Sequence, residues 1–236
     1  MTTIENAIIM AAGLGTRMRP LTYKTPKPLV KVNGKPMIES IIEGLHQNNI
    51  TDISIVVGYL AEQFDYLTKK YDGLKLILNP YYNKYNNISS LYVAKEELKN
   101  TIILDGDQII VEPKLLSNSF NYSGYAGSKI NRFTDEWIMH PDAEGTILSC
   151  DRDGNDHGWR LYSLSKWLAK DSAKLKEHLI DEFEQQHHYD IYWDDVAMFD
   201  YFDDFSLKVI PIDSGDIIEI DSVEQLRKIN NKLKRG

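Results

Sequence analysis

The sequence predicts an α/β fold with a mixed, mostly parallel, Rossmann-like sheet flanked by helices. In the first half of the chain, short apolar runs alternate with amphipathic stretches, which is typical of βαβ units. A glycine-rich turn follows the first apolar run, and no repeat, linker or low-complexity segment interrupts the 236 residues. A chain of this length can bury one large core, so we expect a single domain over residues 1–236.

The predicted parallel strands are four apolar runs, at residues 6–10, 52–57, 74–78 and 100–104. Pro36 is expected in the first turn of the first helix, followed by apolar residues at helical spacing: Met37, Ile38, Ile41, Ile42 and Leu45. Residues 60–71 and 88–98 are the next predicted helices. Ligands of such sheets bind at the carboxyl ends of the strands, where the turn after the first strand also lies.

The second half of the chain has a different pattern. Residues 122–150 form short alternating runs between glycines, which predicts a small antiparallel extension of the sheet. We expect this extension on the side that would hold a second ligand, the acceptor. Residues 163–184 and 194–202 are predicted helices, and residues 206–212 a strand. Ser222 and Gln225 fit a capping box for a last helix that runs to Lys234.

Composition narrows the classes of function. The formal net charge is −8, which argues against a nucleic-acid partner, because binding to a phosphate backbone needs a basic face. Cys150 is the single cysteine, which excludes an internal disulfide and suits a reducing compartment. The N-terminal residues lack a basic leader pattern, and no apolar run approaches the ~18 residues of a membrane span. We expect a cytoplasmic protein with no membrane insertion; the sequence leaves the oligomeric state open.

The most informative segment is the turn after the first strand, AAGLGTRMRP at residues 11–20. Two glycines let the backbone approach an anion closely and point several N–H groups at it. Arg17 adds a cation that can bind phosphate through two hydrogen bonds. The predicted phosphate-binding backbone comprises Ala12, Gly13, Gly15 and Thr16.

Two common nucleotide motifs do not fit this turn. A dinucleotide fingerprint needs a third glycine, where the chain has Met18, and a later carboxylate for the ribose. A P-loop needs a closing Gly-Lys-Ser/Thr, which is missing. Instead, Pro26 and Pro28 restrict the backbone on both sides of Lys27, so Lys27 is expected at a fixed position near the glycine turn.

The combination GLGTRMRP, followed by PKPLV at residues 26–30, resembles the motif of the nucleoside-triphosphate transferase family, which makes NDP-sugars and CDP-alcohols. The resemblance implies a nucleotide-diphospho-sugar transferase type of fold. It also implies Gly13, Gly15 and Arg17 around the triphosphate, with Lys27 on the phosphates of the reacting pair. Lys27 and Arg17 are therefore the candidate catalytic residues.

A second cluster follows the buried run at residues 102–104, where Asp105 and Asp107 point to the same side of the chain. Such a pair of carboxylates favours the binding of a cation. Mg²⁺ is commonly bound by one or two protein carboxylates together with phosphate oxygens. Asp residues also occur at strand ends simply as turn formers, and Asp221 precedes a helix, where negative charge is favourable in any case. The family resemblance implies that Asp107 and Asp221 are the two metal ligands and that Mg²⁺ is the cofactor.

These parts imply a reaction. A phosphomonoester oxygen attacks the α-phosphorus of a nucleoside triphosphate, and pyrophosphate leaves. Lys27 and Arg17 would neutralise the growing charge. A phosphomonoester is already a dianion near neutral pH, since its second pKa is about 6, so no general base is required.

The candidate acceptor site combines aromatic rings with carboxylates. Rings beside carboxylates suit a quaternary ammonium, because the ring quadrupole attracts a cation that cannot donate hydrogen bonds. The alternative is that these rings belong to the core, although alternating carboxylates suit a dry core poorly. The candidate acceptor-binding residues are Trp137, Asp190, Tyr192, Trp193 and Asp194.

Three further segments resemble bacterial CTP:phosphocholine cytidylyltransferases of the choline-incorporation type: GYLAEQFDYL at 58–67, YNNISSLY at 85–92, and YWD at 192–194. This resemblance covers nearly the whole chain and implies CTP and phosphocholine as substrates. The additional nucleotide-binding candidates are Tyr59, Asn87, Ser90 and Asp105. Residues 88–89 differ from the bulkier pair expected there, and residues 154–157 have no assigned role.

Two alternatives stay open at this point. One is a transferase of the same fold that acts on phosphoethanolamine, 2-aminoethylphosphonate or a sugar 1-phosphate. The other is a catalytically silent module that senses a ligand, which the presence of Arg17, Lys27, Asp107 and Asp221 argues against.

Overall fold

The structure is a computed structural model, and it describes residues 1–233. Its strands are β1 (Thr2–Thr3), β2 (Asn6–Ala11), β3 (Lys31–Val32), β4 (Lys35–Pro36), β5 (Ile53–Val57), β6 (Leu74–Leu78), β7 (Thr101–Asp105), β8 (Gln108–Ile110), β9 (Ser119–Phe120), β10 (Gly124–Ile130), β11 (Ile138–Pro141), β12 (Ile147–Asp151), β13 (Gly158–Trp167), β14 (Lys208–Pro211) and β15 (Ile217–Glu219). Its α-helices are α1 (Met37–Gln47), α2 (Asp65–Lys70), α3 (Ile88–Val93), α4 (Ala169–Ile180), α5 (Trp193–Asp195) and α6 (Val223–Leu233).

The central sheet is mixed and mostly parallel on one side, as the sequence predicts. Its main order is β12-β11-β13-β7-β2-β5-β6, and β10 pairs with both β13 and β14. Strands β7, β2, β5 and β6 are parallel to one another. β13 joins them antiparallel through β7 and links the sheet to the antiparallel extension of β11 and β12.

Alternate side chains of β2 point to opposite faces of the sheet and enter two separate core layers. Ile9 packs with the apolar face of α1, whereas Ile8 packs with Leu91 of α3 and Leu175 of α4. All four side chains are fully buried or nearly so. Helices therefore cover both faces, and the loops at the carboxyl ends of β2 and β7 are left to form a site.

Residues 163–167 correct one prediction, because they are the end of β13 and not the start of a helix. Leu164 pairs with Leu104 and Trp167 with Thr101. The helix α4 begins only at Ala169. Ser165 and Lys166 are buried in the strand, and this hides the alternation by which a half-exposed strand is recognised.

Smaller differences concern the ends and types of elements. Pro36 lies at the N-cap of α1, one residue before the position predicted for it. The predicted helices at 60–71 and 88–98 each combine a short α-helix with a 3₁₀ turn. The helix predicted at 194–202 is α5 followed by a π-helical segment, Val196–Asp200. The strand predicted at 206–212 is the shorter β14, which is parallel to β10.

The start of the last helix is as predicted. The amide of Gln225 donates to Ser222 Oγ at 3.1 Å, and the amide of Ser222 donates to Gln225 Oε1 at 2.9 Å, which is a reciprocal capping box. The predicted end at Lys234 lies outside the described residues. Among the helices within residues 1–233, none is long and apolar enough to cross a membrane.

Candidate active site

Two adjoining pockets lie at the carboxyl ends of the parallel strands. The first is lined by the glycine turn together with Lys27, Pro28, Asn86 and Ser90. The second lies toward the antiparallel extension. Four residues line both pockets and mark their junction: Arg17, Asn87, Asp105 and Asp107.

The glycine turn is held against Lys27. Gly15 has a φ of +60°, a left-handed conformation that favours glycine. A Cβ at Gly15 would lie 3.0 Å from the Cβ of Lys27. Thr22 Oγ1 donates a hydrogen bond of 2.7 Å to the Gly15 carbonyl. Glycine is therefore required both by the backbone and by the close approach of the lysine.

Lys27 lies between the two carboxylates predicted to bind metal. It begins a 3₁₀ turn, Lys27–Leu29, and is 7% exposed. Its Nζ is 2.6 Å from Asp107 Oδ2 and 2.8 Å from Asp221 Oδ1. Burial by itself would lower the pKa of Lys27, but the two carboxylates outweigh burial and raise the pKa above its usual range. Lys27 therefore carries a positive charge in the pocket.

Arg17 also reaches Asp221, with its guanidinium 2.7 Å from Asp221 Oδ1. Its side chain is mostly exposed, so it can turn toward an incoming phosphate. Burial would raise the pKa of Asp221, but Lys27 and Arg17 outweigh burial and lower it. Asp221 is therefore ionised near neutral pH.

The donor set at this point fits Mg²⁺. Asp107 and Asp221 bring one carboxylate oxygen each to the same ammonium group, so the two carboxylates are close enough to share a cation. Residues 1–233 contain no group of three or more His, Cys, Asp or Glu side chains arranged for a metal. Mg²⁺ commonly uses one or two protein carboxylates and completes its shell with phosphate oxygens and water.

The second pocket has an aromatic corner. Trp137 lies just before β11, and Tyr192 lies just before α5. Their ring centroids are 5.9 Å apart, and the rings are nearly perpendicular, at 88°. Both side chains line the pocket, and Tyr192 remains 49% exposed. The two rings form two walls for an apolar or cationic group.

Carboxylates complete this pocket: Asp105, Asp135, Glu136, Asp194 and Glu219. Burial raises the pKa of Asp194 to about 7, against the opposing effect of the Tyr125 hydroxyl. Burial also raises the pKa of Glu219 to about 7, against the opposing effect of Arg160. Burial and the charge of Asp107 raise the pKa of Asp105 well above its usual range. So many carboxyl groups in one small space favour a cationic ligand.

Comparison with known proteins identifies the family. The sequence pattern of the nucleotidyl transferase family matches residues 6–121. A 2-aminoethylphosphonate cytidylyltransferase of Lancefieldella rimae is 40% identical over 223 residues, which are 94% of this chain and 90% of that protein. The chain belongs to the nucleotidyl transferase family.

Other relatives support the same assignment. A choline-phosphate cytidylyltransferase of Streptococcus pneumoniae is 39% identical to this nucleotidyl transferase over 97% of this chain and 98% of that protein. The solved structure of a CTP:phosphocholine cytidylyltransferase from Streptococcus pneumoniae matches with a TM-score of 0.91 at 39% identity, and it covers 98% of this chain and 99% of that chain.

The structure of this nucleotidyl transferase places three predicted site residues away from both pockets. Trp193 is 2% exposed; its ring lies 6.0 Å from Tyr125 and 6.1 Å from Trp167. Its assignment to the acceptor cage is therefore wrong, because its ring points into the core while its neighbour Tyr192 points out. Asp190 is exposed, and its backbone carbonyl accepts a hydrogen bond from the side-chain amide of Asn86. The hydroxyl of Tyr59 donates a hydrogen bond to the Tyr23 carbonyl. Neither of these two residues lines a pocket.

The other predicted site residues line one pocket or both: Ala12, Gly13, Gly15, Thr16, Arg17, Lys27, Asn87, Ser90, Asp105, Asp107, Trp137, Tyr192, Asp194 and Asp221. Sequence reasoning missed Ser163, which was assigned to a helix, and Glu219. Glu219 is two residues before Asp221 in an extended segment, so the two side chains share a side, and this spacing could have identified it.

Proposed function

We propose that this nucleotidyl transferase transfers CMP from CTP to phosphocholine and forms CDP-choline and pyrophosphate. The observation that carries this proposal is the perpendicular pair Trp137 and Tyr192, in a pocket that the carboxyl of Asp194 also lines. Two aromatic walls attract a trimethylammonium group that has no hydrogen to donate, and a buried carboxylate stabilises its charge. Relatives that act on choline phosphate support the proposal.

The junction of the pockets supplies electrostatic catalysis. The glycine turn would hold the triphosphate, while Arg17 and Lys27 would neutralise charge on the attacked phosphate and on pyrophosphate. The acceptor phosphate is already ionised near neutral pH, since its second pKa is about 6. No protein group is needed to remove a proton from it.

We propose magnesium as the cofactor, held by Asp107 and Asp221. When bound there, Mg²⁺ would act as a Lewis acid and a template for phosphate oxygens. With a divalent cation at these carboxylates, Lys27 would be free to contact a phosphate oxygen. The two carboxylates thus connect cofactor binding to the freedom of Lys27.

A cytoplasmic location fits the chain. Its single cysteine, Cys150, lies in a strand, and burial raises the pKa of the thiol to about 12. The chain therefore has no disulfide to maintain and no reactive thiolate, which suits a reducing compartment.

A second candidate acceptor is 2-aminoethylphosphonate. The cytidylyltransferase of Lancefieldella rimae acts on this compound by name, and a primary ammonium could donate hydrogen bonds to Asp135, Glu136 or Glu219 at the pocket wall. Its smaller head would leave the aromatic corner partly empty, which is why phosphocholine is preferred.

The test is a pyrophosphate-release assay with CTP, ATP, GTP and UTP, each with phosphocholine and Mg²⁺. Phosphorus NMR of the reaction mixture identifies the product. We expect CDP-choline with CTP and little turnover with the other triphosphates. Failure to form CDP-choline would refute the proposal, and Lys27→Ala provides the background rate.

A further inference from the structure

Two adjacent acidic residues at the start of α5 have different surroundings. Asp194 lines the second pocket, and its carboxyl also lies against the buried hydroxyl of Tyr125. Asp195 is almost fully buried, and both of its oxygens have partners. Its Oδ1 is 2.5 Å from a guanidinium nitrogen of Arg152. Its Oδ2 accepts a 2.7 Å hydrogen bond from the backbone N–H of Tyr192. Asp195 thus connects Arg152 to the residue that carries one wall of the aromatic corner.

The same arginine reaches the other wall through a second aromatic ring. The guanidinium carbon of Arg152 lies 3.8 Å above the centre of the Phe199 ring. Phe199 packs edge-on against Trp137, with centroids 5.0 Å apart and an angle of 88°. Arg152 therefore contacts Asp195, which holds Tyr192, and Phe199, which supports Trp137.

Arg152 follows β12, in a turn for which the sequence suggested no role. In this turn, the N–H and carbonyl of Asn155 pair with the carbonyl and N–H of Thr134, at 3.1 and 3.0 Å. Gly154 has a φ of +82°, and a Cβ there would lie 1.9 Å from the Thr134 carbonyl oxygen. Since residue 134 belongs to the loop that carries Trp137, the turn fixes this loop and presents Arg152 at the same time.

We propose that Arg152 is a positioning residue for acceptor recognition. Together with Asp195 and Phe199 it fixes the right angle between Trp137 and Tyr192. It also neutralises Asp195, so that Asp194 is the member of the acidic pair left to face a cationic acceptor. This proposal rests on the proposed function of the second pocket, but it concerns residues that do not line that pocket.

The test is a comparison of steady-state kinetics for wild type, Arg152→Gln and Arg152→Lys. Arg152→Gln keeps much of the side-chain length but removes the charge. We expect it to raise the KM for phosphocholine about five- to tenfold, as for the loss of one charge-assisted hydrogen bond. The KM for CTP and kcat should change less than about twofold, because Arg152 does not line the first pocket. Arg152→Lys should restore part of the acceptor affinity, because the ammonium can still pair with Asp195.

The matched control is Lys176→Ala, which removes another partly exposed cation paired with a carboxylate, Glu96; neither residue lines either pocket. It should leave both KM values unchanged. An acceptor KM within twofold of wild type in Arg152→Gln would overturn the proposal, as would a parallel rise in both KM values. If Arg152→Gln does not fold, Phe199→Leu takes its place, with the same expectation and the same contrary results.

The proposed function and this inference fail in different ways. Wild-type turnover of phosphocholine is measured first. If the wild type prefers another acceptor, the proposed function is wrong, and the KM comparison is made with that acceptor. If wild type uses phosphocholine but neither Arg152→Gln nor Phe199→Leu changes its KM, the positioning role alone is wrong.

Discussion

Lys27 Nζ lies 2.6 Å from Asp107 Oδ2, and the same ammonium group also contacts Asp221. The candidate catalytic lysine and the candidate metal ligands thus form one group at the junction of the two pockets. A substitution at any of the three changes the charge balance of the other two.

Lys27→Ala should lower kcat by about 10²- to 10³-fold, because a preorganised cation at the transferred phosphate is comparable to an oxyanion donor, worth about 3–4 kcal/mol. The fold should persist, since the ammonium group of Lys27 pairs with pocket carboxylates and is no part of the apolar core. Circular dichroism and steady-state kinetics test this expectation, with Lys31→Ala, an exposed lysine of the same segment, as the control. Turnover like that of wild type in Lys27→Ala would refute the assignment.

Asp107→Asn and Asp221→Asn should each raise the Mg²⁺ concentration for half-maximal activity by about tenfold or more, since even the loss of an outer hydrogen-bond partner of a metal ligand costs 10- to 100-fold in affinity. The measurement is a Mg²⁺ titration at fixed CTP and acceptor. Asp72→Asn, at an exposed position, should leave the titration unchanged. Full activity of wild type in excess chelator would contradict the proposed cofactor.

Tyr192 and Trp193 are neighbours in the chain, but substitutions at them should have different effects, on acceptor binding and on stability respectively. Tyr192→Leu should weaken the acceptor by tens of fold, because a cation over a desolvated ring is worth about 2 kcal/mol, with little change in stability. Trp193→Leu should lower the free energy of unfolding by about 2–4 kcal/mol, as for truncation of a buried ring. Urea unfolding and acceptor KM separate the two effects; a large loss of stability in Tyr192→Leu would contradict the placement of its ring.

This contrast shows where sequence reasoning succeeded and where it failed. The pair of prolines around Lys27 and the glycine turn are local features, so they could be predicted from short segments. The orientation of Trp193 depends on Tyr125 and Trp167, which come from distant strands. Tyr192 has extended backbone just before α5, and successive side chains of an extended segment point to opposite sides, so Tyr192 and Trp193 do not share one pocket wall.

The prediction of a helix at residues 163–167, which form the end of β13, was wrong for a related reason. Lys166 is buried in the strand, its ammonium group donates to the Ser117 carbonyl at 2.9 Å, and burial lowers its pKa to about 8. Ser165 accepts a hydrogen bond from the indole N–H of Trp167. The partner of Lys166 is 49 residues away in the chain, so a sequence pattern cannot reveal that this lysine is buried. Strand β6, in contrast, has the predicted bounds.

Asp194 should make acceptor use dependent on pH. Because burial raises the pKa of its carboxyl to about 7, the free protein holds it mostly protonated at pH 6 and mostly ionised at pH 8. A cationic acceptor favours the ionised form, so kcat/KM for the acceptor should rise with pH, by no more than about tenfold per unit, and level off above pH 7.

The control for this profile is Asp194→Asn, in which the rise should become shallower. The rise that remains would come from Glu219, whose pKa burial also raises to about 7, and from the acceptor phosphate, with its second pKa of about 6. Superimposable profiles for wild type and Asp194→Asn would contradict the placement of Asp194 at the acceptor.

The most direct test of phosphocholine as the acceptor compares kcat/KM for phosphocholine, phosphoethanolamine, 2-aminoethylphosphonate and glucose 1-phosphate side by side with CTP. An aromatic corner loses apolar contact with each methyl group removed, whereas a site for a primary ammonium gains hydrogen bonds to its carboxylates. We expect phosphocholine to have the highest value of the four. A higher value for any of the other three would contradict the aromatic cage formed by Trp137 and Tyr192 as the basis of acceptor choice.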